Sequence, residues 1–164
     1  VKKLCLLGDP MVGKTSLVRR YVHNSYDPKY LSTVGALVNT RAVTVGNCLI
    51  TLSIWDIAGQ PTSRSLSANH YRGSQGAIMV CDITRRSTLE NLPLWAQALG
   101  QSTRDVPVVV MVNKMDLWED RQFDPRDVAR VLGIETGQVL GSSAKTGENV
   151  EKAFGELVGL MVKD

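Results

Sequence analysis

Gly8-Asp9-Pro10-Met11-Val12-Gly13-Lys14-Thr15 fits the pattern Gly-x-x-x-x-Gly-Lys-Ser/Thr. The apolar run Lys3–Leu7 precedes it and reads as a short buried strand. Leu17, Val18, Tyr21 and Val22 follow at helical spacing. Strand, glycine-rich turn and helix in that order make a site for a polyphosphate. Backbone N–H groups of such a turn point inward, and the helix N-terminus adds its positive dipole end. The amides from Met11 through Val12, Gly13, Lys14 and Thr15 to Ser16 are the candidate donors. Lys14 is placed to reach the β- and γ-phosphates and to stabilise charge during their chemistry, and the Thr15 hydroxyl to ligate Mg²⁺. Pro10 fixes its own φ and offers no N–H, but the later amides remain.

Outward from this loop, strand-like and helix-like segments alternate. Residues 36–45 and 49–55 read as a hairpin around Gly46-Asn47. Gly76–Cys81 and Val106–Val112 are continuous apolar runs, as in strands covered on both faces of a parallel sheet. Ser87-Thr88-Leu89-Glu90 has the form of a capping box and predicts a helix start, with a kink or restart at Pro93. Val150, Ala153, Phe154, Leu157, Val158 and Met161 form the stripe of a last helix. The pattern predicts one α/β domain over residues 1–164, with helices on both faces of its sheet. Ligands of such sheets bind at the carboxyl ends of the strands.

Composition narrows the function classes. A net charge of +3 without a Lys/Arg block gives no reason to expect nucleic acid as a partner. The three cysteines, Cys5, Cys48 and Cys81, lack metal-ligand spacing, and Cys5 and Cys81 lie in apolar runs. Buried free thiols and a reducing, cytoplasmic location are expected. No apolar run approaches the ~18 residues of a membrane span.

Asn113-Lys114-Met115-Asp116 directly follows the run Val106–Val112. A carboxylate there accepts from both N1–H and the 2-amino group of guanine, a donor pair adenine lacks. Such a site rejects the wrong base by about 10⁴–10⁵. Asp116 is the candidate base reader. Lys114 is expected along the ring and against the phosphate loop, and Asn113 between the two loops. Ser143-Ala144-Lys145 occupies the next strand-to-helix connection, with the Ala144 amide aimed at guanine O6. Asp56-Ile57-Ala58-Gly59-Gln60 follows another strand. Asp56 is a candidate Mg²⁺ holder through water, the Gly59 amide a γ-phosphate donor, and Gln60 the residue that orients attacking water. Thr33 is a second candidate Mg²⁺ ligand. Tyr26 is a candidate for packing edge-on against the base, and Tyr30 for covering the phosphates. Loss of the γ-phosphate would release both loops, an order–disorder switch.

With these motifs assembled, the chain resembles the Ras superfamily over nearly its whole length, and the Rab proteins most. Leu52–Gln60, His70-Tyr71-Arg72-Gly73-Ser74, Ser32-Thr33-Val34-Gly35 and Cys81-Asp82-Ile83-Thr84 carry the likeness. The resemblance implies a P-loop NTPase G domain with five parallel strands and one antiparallel. It implies a Mg²⁺-dependent GTPase that binds GTP and GDP. Exchange factors, GTPase-activating proteins and effectors would contact residues 26–38 and 57–73. The sequence departs from that pattern at Gln60-Pro61-Thr62-Ser63, at Leu37 and Val38, and at Pro10, whose ring would crowd an arginine finger. These prolines favour the alternative of a GTP-binding scaffold with little hydrolysis. The sequence holds no prenylatable C-terminal Cys, so peripheral membrane association is expected only if a tail beyond Asp164 supplies it.

Overall fold

The computed structural model describes residues 1–29, 31–59 and 64–163, with 64–67 described as backbone only. The strands are β1 Lys2–Leu7, β2 Ala36–Val45, β3 Cys48–Ile57, β4 Gly76–Asp82, β5 Val108–Asn113 and β6 Val139–Gly141. The helices are α1 Lys14–His23, α2 Arg64–Tyr71, α3 Arg86–Glu90, α4 Leu92–Ser102, α5 Arg126–Leu132 and α6 Val150–Met161. The strands form one sheet in the order β2-β3-β1-β4-β5-β6. Only β2 runs antiparallel, paired with β3 from Ala36–Ile57 to Val45–Cys48 across the Gly46 turn. The expected five-plus-one sheet and the hairpin are both present.

Alternation along β1 divides the core. Leu4 and Leu6 pack on one face with Leu17, Tyr21, Phe154 and Leu157 of α1 and α6. Cys5 and Leu7 pack on the other with Tyr71, Leu89, Trp95 and Val128 of α2 to α5. Successive strand side chains point to opposite faces, so one strand serves both layers. The Tyr21 and Phe154 rings stack at 3.9 Å and lock α1 to α6. Full burial of a ring such as Phe154 contributes about 2–3 kcal/mol. Cys5 and Cys81 are buried free thiols, and burial pushes both up, Cys5 to about 11.

One local expectation fails. A helix does start beside Ser87, but not by a capping box: its N-cap is Arg85, with no side-chain cap. The Thr88 hydroxyl, 2.7 Å from the Arg85 carbonyl, instead accepts from the Asp82 amide at 2.9 Å. The helix begins one residue before Ser87, which therefore lies inside the first turn and cannot cap it. Pro93 does restart the helix, standing in the first turn of α4.

Candidate nucleotide and metal site

The phosphate loop leaves β1 at the carboxyl edge of the sheet and ends on the first turn of α1. Gly13 has φ 101°, and a Cβ there would strike the Asn113 amide. Gly59 is squeezed harder: a Cβ would lie 2.6 Å from Gly8 O, Asp9 C and Pro10 N. The end of β3 therefore rests directly on the phosphate loop, an approach open only to glycine. Met11 adopts φ 65° and its side chain is half exposed, whereas Val12 is fully buried in the core.

Lys14 is buried, and its Nζ donates to the carbonyls of Gly8 at 2.8 Å and Asp9 at 2.9 Å. Burial pushes its amine down to about 8, against the opposing charges of Asp56 and Asp9. An arriving polyphosphate would push the amine back up. Thr15 Oγ1 lies 2.8 Å from Thr33 Oγ1 and donates to Asp56 Oδ2 at 2.5 Å. Asp56 Oδ1 is buried and has no hydrogen-bond partner among the described residues. Burial raises the Asp56 carboxyl, partly offset by Thr15 and Lys14. An orphaned carboxylate oxygen beside two hydroxyls is a set of hard oxygen donors with unmet electrostatic demand. It fits a small divalent cation such as Mg²⁺.

Asn113, the last residue of β5, ties two loops together. Its Nδ2 donates to Val12 O at 2.9 Å, and its Oδ1 accepts from Ser142 Oγ and the Ala144 amide, both at 3.3 Å. A base oxygen would therefore share the Ala144 N–H with Asn113. Ser143 Oγ donates to Asp116 Oδ1 at 2.7 Å, which orients the exposed carboxylate and leaves Oδ2 open. Lys145 is exposed, and its carbonyl accepts from Arg20 Nη2 at 2.6 Å, while Arg20 Nε donates to Ala144 O at 2.8 Å. Arg20 thus pins this loop to α1.

A cleft runs from Gly59 and Thr33 past Lys14, Thr15 and Ser16 to Tyr26 and Lys114. Tyr26 is 39% exposed on its rim. Tyr30 and Gln60 lie outside the described residues. Lys114 lines the cleft but reaches the phosphate loop only indirectly. Its ammonium pairs with Asp82 at 2.8 Å, and the brace to the phosphate loop passes on through Arg85 to Pro10 O at 2.8 Å. Sequence reading also missed Asp9. Its carboxylate accepts from Asn91 Nδ2 at 2.7 Å and Trp95 Nε1 at 2.8 Å, tethering the loop to α4. A charged residue inside the phosphate loop was the one local hint.

Together, the fold and this cleft define a P-loop nucleotide-binding domain. The family model for the Ras family matches residues 3–163. The chain is 36% identical to the Ypt/Rab-type GTPase YPT7 of Saccharomyces cerevisiae, covering 96% of this chain and 79% of that one. It is 38% identical to Ras-related protein Rab-22A of Homo sapiens, over 94% and 80% of the two chains. Against Ras-related protein Rab-1 of Theileria parva the figures are 35%, 93% and 70%. The chain belongs to the Ras family, and is a Rab-like small GTPase that binds guanine nucleotide and hydrolyses GTP to GDP.

Proposed function

We propose that this GTPase reads guanine with Asp116 and grips the triphosphate with Lys14 and the amides of Met11 to Ser16. One observation carries the assignment: a buried lysine, an orphaned buried carboxylate oxygen and a serine-oriented aspartate line one sheet edge. Lys145 and Ala144 flank the base, Tyr26 lies at its rim, and Tyr30 covers the phosphates. Thr15, Thr33 and Asp56 would hold Mg²⁺, which would neutralise developing charge on the phosphate oxygens. Water attacks the γ-phosphorus in line; Gln60 orients it and the Gly59 amide bonds the γ-phosphate. Without an arginine from a partner, turnover is on the order of 10⁻⁴–10⁻³ s⁻¹, by analogy with Ras.

Single-turnover hydrolysis tests this reading. Gln60→Leu should slow phosphate release at least about tenfold with GTP affinity nearly unchanged. An unaltered rate would remove Gln60 from the reaction. The metal shell gives a second expectation. Chelation of Mg²⁺ by EDTA should speed release of a fluorescent GDP analogue at least about tenfold, because the phosphates lose several kcal/mol of charge neutralisation. Asp56→Asn should release GDP quickly in Mg²⁺ and respond little to EDTA. Equal EDTA sensitivity in the two proteins would exclude Asp56 from the shell.

The likeness to Rab-type GTPases supports a Rab-like role, which we place in membrane traffic or signalling. Regulators and effectors would dock on residues 26–38 and 57–73. Leu37 and Val38 there are about half exposed, and Leu31 and Val34 more so. Among the described residues no helix is long and apolar enough to cross a membrane. A cytoplasmic site of action goes with that reading, with peripheral membrane attachment only if a lipidated tail supplies it.

A further inference from the structure

Asp82 ends β4 and is 1% exposed, yet it carries two cations. Its Oδ2 accepts from Lys114 Nζ at 2.8 Å and Arg85 Nε at 3.2 Å. Its Oδ1 accepts from the Thr84 amide at 2.9 Å and the Thr84 hydroxyl at 2.7 Å. Every carboxylate oxygen is engaged, so the group is fixed in place. The two cations lead in different directions. Lys114 stands between Asn113 and Asp116 in a left-handed conformation, with φ 67°, so its position sets the path of the base-reading turn. Arg85 reaches the other way, and its Nη2 donates to Pro10 O at 2.8 Å.

That second contact has a directional effect. A trans peptide is planar, with its C=O and N–H antiparallel. Holding the Pro10 carbonyl toward Arg85 turns the Met11 N–H the opposite way. Pro10 has no N–H of its own, so Met11 supplies the first amide of the loop's inward-facing run. Arg85 therefore aims the donor at the leading end of the phosphate grip, and does so from the carboxylate that also holds Lys114.

We propose that Asp82 and Arg85 are positioning residues that couple recognition of the purine to the aim of the phosphate loop. The coupling rests on the assignment of Asp116 as base reader. A nucleotide whose base seats fully on Asp116 draws Lys114 into register, and Asp82 and Arg85 transmit that register to the Pro10–Met11 peptide. A nucleotide that seats less well also loses part of its phosphate grip, so base discrimination exceeds what the base contacts alone supply.

The test compares GDP with IDP, whose base lacks only the 2-amino group. Dissociation constants are measured by competition with a fluorescent GDP analogue for the wild type, Arg85→Ala, Asp82→Asn and Arg86→Ala. The wild type should favour GDP by about 10- to 100-fold, since the missing donor leaves Asp116 partly unpaired. Arg85→Ala removes no group near the base, yet should lower that preference about 3- to 10-fold. Asp82→Asn should lower it similarly. Arg86→Ala alters an exposed side chain paired with Glu90 and should keep the wild-type preference. Equal weakening of GDP and IDP in Arg85→Ala would reduce Arg85 to a general stabiliser and overturn the coupling. A wild type that binds both nucleotides alike would overturn the base assignment itself, and the coupling with it.

Discussion

Asp116→Ala is expected to abolish the preference for guanine over adenine, a loss of about 10⁴ in the ratio of GDP to ADP affinity. The wild-type carboxylate is exposed but held by Ser143 Oγ at 2.7 Å, so one rotamer is presented to the base. Its open oxygen has no adenine donor pair to accept from. The alanine variant leaves N1–H and the 2-amino group of guanine without partners and relieves adenine of a facing charge. Most of the change should therefore appear as weakened GDP binding, read by competition against a fluorescent nucleotide. Fold stability should move little, because the residue is exposed. A variant that still prefers GDP by three orders of magnitude would transfer base reading to another residue.

The second large effect is expected at Gly59. A methyl group there would meet three backbone atoms of the phosphate loop at 2.6 Å, none of which can swing aside as a side chain would. The end of β3 must then withdraw, taking its amide out of reach of the γ-phosphate. Gly59→Ala should slow GTP hydrolysis about 10²–10³-fold, the scale for losing one oriented donor at a developing charge. GDP affinity should fall far less, since GDP has no γ-phosphate for that amide to meet. Single-turnover hydrolysis and GDP titration on the same preparation separate the two. Equal losses in both would mean the methyl group deforms the phosphate loop itself.

Both effects fall on residues that sequence alone singled out, and the reason is physical. Gly59, Lys14, Thr15, Asn113 and Asp116 lie in or beside the short connections that follow strands, so their proposed chemistry is written in local spacing. The same holds for the β2–β3 hairpin, whose Gly46-Asn47 turn joins two runs of suitable length. The braces behind the site were not legible. Asp9 meets Asn91 and Trp95 across 82 and 86 residues, and Arg85 meets Pro10 across 75. Those pairings depend on β4 lying beside β1, which no local pattern encodes. The capping box was misread because the helix starts at Arg86, which puts Ser87 inside its first turn. Lys114 was expected to brace the phosphate loop directly, and its link to that loop runs instead through the buried Asp82 and Arg85.

The bond pair from Asp9 to the start of α4 has a mechanical corollary. Two donors on one helical turn grip both oxygens of a single carboxylate, which resists rotation as well as stretching. Any shift of the loop that moves Asp9 would load the first turn of that helix. Trp95 and Leu99 of the same helix sit within the core layer behind the sheet, so that load would fall on close-packed side chains.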